Sequence, residues 1–411
     1  MIGKRVLLGS LVSVLMAYGS LAWAASESVL HSFGSAGDGA YPFAGLTFDA
    51  NGNLYGTASS GGSNSQCDGA GCGVVYRLTP AGGGNWNYGV LHSFTANEGG
   101  NPYSTVAIDR TGSLYGTTLY YASGCGTVFS LRPGSGGTWS ESTVHRFTCG
   151  DDGFSSYGVV FDNTGRLFGT AYAGGAYDHG LVYYLGHQSA LSWDELVLHA
   201  FNGTDGGSPS GNPIFDASGN MYGTTYEGGR ALTGVVFKLS PSGGAGWSES
   251  VLYAFQGTGF TAGPDGVNPV AGVVFDAEGN LYGTCDYGGP ANLGAVFELS
   301  PNGDGTWTET VLHTFSGGSD GGHPYAGVIL DQQGNLYGTT QGTTGSNGTV
   351  YKLSRGSNGH WSETILYAFR GGADGSTPYG ALVMDTAGNL YGTTAFGGQF
   401  GGGVLFEIPA Q

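Results

Sequence analysis

The chain has 411 residues, of which 83 are glycine and only 10% are charged. Glycine and aromatic residues are spread evenly, with no low-complexity linker or charge run, so the composition favours one large repetitive body over several ordinary domains. The formal net charge of −18 repels phosphate backbones and argues against a nucleic-acid partner.

The first 24 residues have the three parts of a secretory signal. Lys4 and Arg5 precede an apolar run over residues 6–17, and residues 22–24 (Ala-Trp-Ala) form a cleavage site. The apolar run is too short to span a bilayer, and no second run follows it. We therefore expect cleavage after Ala24, export to the periplasm or medium, and a single mature domain over residues 25–411 with no membrane span.

A repeated hexapeptide is the main feature of the mature chain. The string G-x-L-Y-G-T, or a close variant, recurs about every 56 residues, beginning at Gly52, Gly112, Gly165, Gly219, Gly279, Gly334 and Gly388. Each copy contains four short apolar or alternating runs bounded by turn residues, which is typical of β-strands. In the fifth copy these runs are 272–275, 280–284, 295–300 and 309–315, here named strands a, b, c and d. The pattern predicts an all-β chain of four-stranded units.

Two side chains recur within these units. An aspartate opens every a–b turn, where it caps the turn ahead of a glycine free to take a positive φ, so we interpret it as structural and not catalytic. These aspartates are Asp49, Asp109, Asp162, Asp216, Asp276, Asp331 and Asp385. An aromatic ring in every strand b is expected to pack between units, since burying one ring contributes about 1.5–3 kcal/mol. These rings are Tyr55, Tyr115, Phe168, Tyr222, Tyr282, Tyr337 and Tyr391.

The two ends of the chain complement each other. Tryptophan precedes strand d in six copies, at positions 86, 139, 193, 247, 307 and 361, whereas the seventh copy ends after strand c at 404–408. The missing strand is found at the N-terminus, where residues 26–30 repeat residues 248–252 (Ser-Glu-Ser-Val-Leu). We therefore predict a seven-bladed β-propeller with four antiparallel strands per blade, closed by residues 28–33 as strand d of the last blade.

The units resemble those of a known family. Residues 279–284 (GNLYGT), 288–289 (GG), 294–297 (GAVF) and 307–313 (WTETVLH) are similar to the GloVer tandem repeat of the exported bacterial proteins called choice-of-anchor. The resemblance covers nearly all of the mature chain. It implies export and a repeat-built propeller, but no enzymatic activity and no catalytic residues. Only Pro-Ala-Gln follows Ile408, so we expect release and no C-terminal anchor.

Five cysteines remain after export, and an oxidising compartment favours disulfides. Cys67 and Cys72 share the b–c loop of the first copy, while Cys125 and Cys149 lie near adjoining ends of strands c and d of the second. We therefore predict the disulfides Cys67–Cys72 and Cys125–Cys149. Cys285 lies in no catalytic motif with a histidine, which favours a buried, inert thiol.

The d–a and b–c loops are predicted to share one face of the ring, and this face carries the candidate ligand-binding residues. Each d–a loop has an acidic residue before a glycine: Asp38, Glu98, Asp152, Asp205, Asp265, Asp320 and Asp374. Five copies then place an aromatic residue near the expected mouth of the channel: Phe43, Tyr103, Tyr157, Tyr325 and Tyr379. Aromatic faces beside carboxylates bind sugar rings or cationic groups. The simpler interpretation is that these residues shape turns and cover neighbouring blades.

Metal-binding patterns are weak in this sequence. No single segment has the spaced oxygen ligands of a calcium loop. Histidine occupies one position of strand d in five copies, where Tyr253 and Tyr367 replace it in the other two; the histidines are His31, His92, His145, His199 and His313. Because tyrosine is not an equivalent ligand, we interpret these histidines as packing residues and predict no metal and no cofactor.

A few polar residues break the symmetry of the loop face, namely Asp178, His179, Glu227, Arg230, Asp286 and His323. Their scatter along the chain is typical of solvated loop residues. The leading hypothesis is a non-catalytic binding propeller that recognises an extracellular glycan, another polymer or a protein through this face. The alternatives are a secreted hydrolase or lyase acting on a polysaccharide or lactone through the asymmetric residues, and a structural component of the envelope.

Overall fold

The computed structural model describes residues 26–63, 66–67, 69–120, 124–189, 192–244, 246–257 and 263–410. The predicted secretory signal lies outside these residues. Within them the chain is almost entirely β-structure, with two short 3-10 turns at Ser135–Gly137 and Gly318–Asp320. None of the described segments is a helix long and apolar enough to cross a membrane.

Seven antiparallel sheets, here called blades, each contain strands a, b, c and d in that order, and they are numbered 1–7 in the order of their strands b. Strand a comprises Thr47–Phe48, Ala107–Ile108, Phe154–Phe161, Ile214–Phe215, Val274–Phe275, Ile329–Leu330 and Val383–Met384. Strand b comprises Leu54–Ala58, Leu114–Tyr120, Leu167–Ala173, Met221–Glu227, Leu281–Cys285, Leu336–Thr340 and Leu390–Thr394. Strand c comprises Val74–Gly82, Thr127–Pro133, Leu181–Ser189, Val235–Pro241, Ala295–Pro301, Thr349–Arg355 and Val404–Ile408. Strand d of blades 1–6 comprises Asn85–Ser93, Trp139–Arg146, Ser192–Ala200, Trp247–Ala254, Trp307–Thr314 and Trp361–Ala368. The protein is a seven-bladed β-propeller, as predicted.

Most strand bounds differ from the prediction by one or two residues, and two differences have larger consequences. In blades 2 and 4 a short extra strand, Gly100–Pro102 or Gly207–Pro209, also pairs with strand b. Strand a of blade 5 has two residues, not the four predicted over 272–275. Gly272 instead lies against blade 4, where a β-carbon on it would come within 2.2 Å of the carbonyl oxygen of Asn212. Gly272, the first residue of the predicted strand, therefore packs against blade 4 and lies outside strand a.

The N-terminal strand closes the ring, as predicted. Ser28–Ser32 forms strand d of blade 7 and pairs antiparallel with Val404–Ile408, with Ser28 opposite Glu407. The strand ends one residue before the predicted boundary, although the backbone N–H of Phe33 still donates to the carbonyl of Gly403 at 2.9 Å. Both terminal segments thus complete one sheet, which leaves no half-built blade at either end.

The tyrosine of the repeated hexapeptide joins neighbouring blades. In blade 5, the ring of Tyr282 packs edge-on against Trp361 of blade 6, with 6.3 Å between ring centroids. Its hydroxyl donates to Asp276 at 3.0 Å. The other carboxylate oxygen of Asp276 accepts backbone N–H bonds from Glu278 and Asn280. The turn aspartates therefore cap their turns, and six of the seven also accept a hydrogen bond from the strand-b tyrosine, which agrees with the structural role expected of them.

The glycine and threonine of the hexapeptide also have packing roles. Gly283 lies beneath the ring of Phe297 in strand c, and a β-carbon at this glycine would approach that ring to 2.5 Å. The hydroxyl of Thr284 donates across the blade boundary to the carbonyl of Ala326 at 3.0 Å. Since the equivalent threonine bonds join five other blade pairs, the motif specifies contacts between blades as well as within them.

The boundary between blades 6 and 7 is less well filled than the others. Tyr337 is the only half-buried ring among the seven described strand-b aromatic residues. Within the described structure the hydroxyl of Thr339 has no hydrogen-bond partner. A groove of 680 Å³ lies beside Tyr337 and ends at Pro409 and Ala410.

Candidate functional site

The five predicted aromatic residues come together on the loop face. Phe43 stacks on Tyr103 with ring centroids 4.7 Å apart, and it meets the ring of Tyr379 edge-on at 5.2 Å. Tyr379 in turn contacts Tyr325 at 5.1 Å, and Tyr103 contacts Tyr157 at 6.1 Å. Four of these residues precede strand a of blades 6, 7, 1 and 2, and Tyr157 lies within strand a of blade 3, so five successive blades contribute one continuous aromatic arc.

The arc surrounds the channel axis and is open on one side. Tyr157 of blade 3 and Tyr325 of blade 6 line the same cavity of 210 Å³, although they come from opposite parts of the ring. Blades 4 and 5 contribute the small residues Ser210 and Val270 at the equivalent positions. Because these two side chains are shorter than a tyrosine, they leave room for the cavity at this side of the mouth.

A second cavity of 470 Å³ adjoins the arc and has polar walls. It is lined by Tyr103, Tyr226, Asp286, Tyr287, His323, Tyr325, Gln341 and Tyr379. Burial raises the pKa of both Tyr103 and Tyr325 above that of a free phenol. Their hydroxyls are therefore neutral at physiological pH and can donate hydrogen bonds to a ligand.

The cavity contains a histidine–carboxylate pair from two different blades. Nδ1 of His323 lies 3.0 Å from the Oδ1 atom of Asp286. This hydrogen bond, opposed by burial and helped by the carboxylate charge, raises the pKa of His323. The ring of Tyr287 meets the imidazole edge-on at 5.2 Å. Two of the six asymmetric polar residues thus come within hydrogen-bonding distance, which their separation in sequence did not reveal.

The backbone has an unusual conformation at His323 and at the equivalent residue of every other blade. The residue two places before the channel-facing residue has a φ of 55–60° in every blade: Tyr41, Asn101, Ser155, Ser208, Asn268, His323 and Thr377. Residues other than glycine rarely adopt this left-handed conformation, which costs about 1–3 kcal/mol. At His323 it is held by the backbone N–H, which donates to Leu293 of the preceding blade at 2.8 Å. The fold therefore presents seven side chains of five kinds at equivalent sites around the mouth.

The remaining asymmetric residues lie outside these two cavities. Glu227 accepts a hydrogen bond from the hydroxyl of Ser208 at 2.9 Å. His179 accepts one through its backbone carbonyl, from the N–H of Ser208 at 2.8 Å. Asp178 and Arg230 line neither cavity. Of the six asymmetric polar residues, only Asp286 and His323 are therefore seen within hydrogen-bonding distance of each other in the described structure.

The predicted acidic residues of the d–a loops lie between blades and line neither cavity within the described residues. Asp38 accepts a bond from the backbone N–H of Gly34 at 3.1 Å and lies 3.1 Å from Nε2 of His31. The corresponding pairs are Asp205 with His199, Asp265 with Tyr253, Asp320 with His313, and Asp374 with Tyr367. Their described contacts favour the turn-shaping interpretation over a direct part in the aromatic mouth.

A β-bulge positions the histidine or tyrosine of strand d. In blade 2 the pairing of strands c and d shifts between Thr143 and His145, which leaves Val144 as an extra residue. The same shift recurs in all seven blades. Because a bulge reverses the side-chain alternation beyond it, the histidine reaches the loop acid and the next blade.

Sequence reasoning missed a glutamate that completes this arrangement. Strand d of the following blade contributes it, two residues after the tryptophan, as with Glu195 beside His145. Burial is the main cause of a raised pKa at these glutamates, and a nearby acidic group raises it further. The pKa is about 7 for Glu27, Glu141, Glu249 and Glu309, about 8 for Glu195 and about 9 for Glu363. The repeated Trp-x-Glu was visible in the sequence, but its partner could be named only once the blades were placed side by side.

Both predicted disulfides are present. Cys67 is bonded to Cys72, and Cys125 is bonded to Cys149. Cys285 is fully buried, and burial raises the pKa of its thiol well above the usual value. The thiol is therefore held in its unreactive form, as expected.

The fold and its mouth define a class of protein: a seven-bladed propeller with an aromatic, polar-walled recess on the loop face. The chain belongs to the Gloeobacter/Verrucomicrobia repeat family, whose model matches residues 20–192 and 260–411. This confirms the repeat resemblance seen in the sequence. Curated protein sequences include none that matches the chain.

Two solved structures are similar to the chain at low sequence identity. A protein of unknown function from Dyadobacter fermentans is 14% identical, with a TM-score of 0.46, and the match covers 82% of this chain and 96% of that one. A puromycin-hydrolyzing peptidase of Mycobacterium tuberculosis is 11% identical, with a TM-score of 0.51, over 85% of this chain and 48% of the peptidase. The chain thus spans about half of the peptidase, and this likeness concerns the fold alone.

Proposed function

We propose that the protein is an exported, non-catalytic binding propeller whose channel mouth holds a carbohydrate. The observation that carries the proposal is the aromatic arc formed by Phe43, Tyr103, Tyr157, Tyr325 and Tyr379. Aromatic faces stack on the C–H surfaces of sugar rings, while a few placed polar groups select their hydroxyls. The arc supplies the first kind of contact.

The second kind of contact comes from the polar wall beside the arc. Asp286 and Gln341 offer hydrogen-bond acceptors, Gln341 and the phenols of Tyr226 and Tyr325 offer donors, and all four line one cavity. The volume of 470 Å³ lies in the range of small-ligand sites. A neutral, hydroxyl-rich ligand matches this lining better than an anion, since the protein has a formal charge of −18.

Export is part of the proposal and rests on separate support. The leader-like residues 1–24 and the two disulfides both fit an oxidising compartment. Expression of the full chain in a Gram-negative bacterium, followed by fractionation and N-terminal sequencing, tests this part. We expect a periplasmic or released product beginning at Ala25; a cytoplasmic product that retains residues 1–24 would contradict it.

A glycan array with the mature protein, followed by calorimetry on the best ligand, tests the binding role. We expect Tyr325→Ala to weaken binding at least about tenfold, which corresponds to about 1.4 kcal/mol, and Tyr325→Phe to weaken it less. Tyr177→Ala is the matched control, because Tyr177 is 61% exposed and lines neither cavity. No binding to any glycan, or equal loss in the control, would overturn the proposal.

The Asp286–His323 pair favours a second candidate, a hydrolase or lyase acting on polysaccharide or a lactone. A carboxylate that orients an imidazole is a common arrangement for general acid–base catalysis. Among the described residues, however, the lining of this cavity includes no serine, threonine or cysteine nucleophile. Turnover that disappears in both His323→Ala and Asp286→Asn would replace the binding role with this one. Absent turnover would exclude it for the substrates screened.

A further inference from the structure

A histidine and two carboxylates meet at the boundary between blades 2 and 3. Strand d of blade 2 supplies His145, the following d–a loop supplies Asp152, and strand d of blade 3 supplies Glu195. Nε2 of His145 lies 3.7 Å from an Oδ atom of Asp152 and 3.8 Å from an Oε atom of Glu195. One ligand atom from each of the three residues lies within 4.8 Å of the others. These separations are too long for hydrogen bonds.

Two of the three half-buried groups at this boundary have a polar atom without a hydrogen-bond partner in the described structure. The side chain of Glu195 is only 9% exposed, and its Oε1 atom has no hydrogen-bond partner in the described structure. Nε2 of His145 also lacks a partner there. Leaving buried polar atoms unpaired is costly, and two acidic groups close together disfavour the ionisation of both. A cation among the three groups would remove both costs.

Two other boundaries bring the same three residue types within the same distance, His199 with Asp205 and Glu249, and His313 with Asp320 and Glu363, but their histidines lie nearer to the loop acid. Where histidine is present, its Nε2 approaches the loop acid more closely: 3.1 Å at His31, 3.3 Å at His92, 3.2 Å at His199 and 3.0 Å at His313. Where tyrosine replaces histidine, its hydroxyl donates directly to the acid. Of the described boundaries, the one between blades 2 and 3 has its acid standing furthest from the ring.

The loop that carries Asp152 is also tethered more firmly than its counterparts. The Cys125–Cys149 disulfide lies three residues before it and joins the loop to the start of strand c. The two carboxylate oxygens of Asp152 accept hydrogen bonds from the backbone N–H and the hydroxyl of Thr148, at 2.8 and 2.6 Å. Such outer contacts orient a ligand and hold it in place.

We propose that His145, Asp152 and Glu195 bind one divalent transition-metal ion of the zinc type. Zinc bonds to histidine nitrogen and carboxylate oxygen at about 2.0–2.2 Å, which sets tetrahedral ligands about 3.4 Å apart. The two separations from Nε2 of His145, 3.7 and 3.8 Å, are close to this spacing, and the two carboxylate atoms, which lie within 4.8 Å of each other, would approach by at most about 1.4 Å. An imidazole ligand favours zinc, copper or nickel over calcium and magnesium. The ion would join blade 2 to blade 3, with water at the fourth position.

The test counts metal ions bound to the chelator-treated mature protein. Equilibrium dialysis against Zn²⁺ gives the number bound per chain, and Co²⁺ replaces Zn²⁺ for visible spectroscopy of the ligand geometry. His145→Tyr is the main variant, since tyrosine occurs naturally at this position in blades 4 and 6. Glu195→Gln is the second, because it preserves side-chain shape. Glu309→Gln is the matched control at a boundary where Tyr253 replaces histidine.

We expect wild type and Glu309→Gln to bind one more Zn²⁺ per chain than His145→Tyr, and Glu195→Gln to lose the same ion or bind it at least tenfold more weakly. The Co²⁺ complex of wild type should show the strong visible bands of a tetrahedral site, and His145→Tyr should lack them. An unchanged Zn²⁺ count in either variant, with circular dichroism showing a folded protein, would overturn the proposal. Metal bound only by groups elsewhere on the surface would give that unchanged count.

Discussion

Replacing a single buried glutamate should remove part of the protein's pH dependence. Glu309 lies between blades 4 and 5, and its Oε1 atom has no hydrogen-bond partner in the described structure. Burial, and then the charge of Asp265, raises the pKa of Glu309 from 4.5 to about 7. A carboxyl group whose pKa is higher in the folded state stabilises the fold fully below pH 4.5, and this contribution is lost as the pH rises through 7.

The size of this effect follows from the difference between the two pKa values. A change from 4.5 to about 7 corresponds to at most about 3 kcal/mol. Because Glu309 is partly exposed, solvent screening reduces the expected effect to about 1–2 kcal/mol. Glutamine has nearly the same shape and does not titrate. Glu309→Gln should therefore gain about 1–2 kcal/mol over wild type when the pH is raised from 4.5 to 8.

Urea unfolding at pH 4.5, 6 and 8, with chelator present, measures this difference. Glu278→Gln is the control, because Glu278 is an exposed residue of the a–b turn in the same blade and should show no such dependence. If the difference between Glu309→Gln and wild type is the same at all three pH values, or shrinks as the pH rises, the reasoning about the buried carboxyl group is wrong.

Three further predictions concern a turn aspartate, the buried thiol and the position where alanine replaces the repeated tryptophan in the sequence. Asp276→Ala should lower the unfolding free energy by about 1–2 kcal/mol, because it removes the acceptor of several turn hydrogen bonds; denaturant unfolding, with Glu278→Ala as an unchanged control, checks this. The thiol of Cys285 should react with an aromatic disulfide reagent only after denaturation, and rapid reaction of the native protein would contradict its burial. Ala25→Trp in the mature protein should fill the groove beside Tyr337 and raise the melting temperature, whereas an unchanged or lower value would show that the groove does not accept the repeat's indole.

Much of the fold could be predicted because the seven copies of the repeat can be compared with one another. Seven copies of one motif gave the blade number, and the tryptophan missing from the last copy located the closing strand at residues 28–33. The disulfides followed because one pair of cysteines shares a loop and the other pair lies at neighbouring strand ends. Such features depend on local pairing, which sequence spacing constrains directly.

The contacts between blades were harder to predict. Their register depends on how adjacent sheets pack, so the sequence did not show that Glu195 faces His145 or that Asp286 meets His323. The bulge before His145 was also hidden, since one extra residue in a pair of strands leaves little trace in an apolar pattern. The loop acids were grouped with the aromatic mouth for this reason, whereas the structure places them beside the strand-d rings.

Closure of the ring by the N-terminal strand is the central claim, and a designed cross-link tests it directly. Ser28 lies opposite Glu407 in the antiparallel pair, where β-carbons are about 4.5–5.5 Å apart and a disulfide is within reach. The control pairs Ser28 with Lys238, which occupies strand c of blade 4. Mass spectrometry of the oxidised mature protein should find the cross-linked peptide in Ser28→Cys/Glu407→Cys and not in Ser28→Cys/Lys238→Cys. No cross-link in the first protein, or equal cross-linking in both, would contradict a ring closed by this strand.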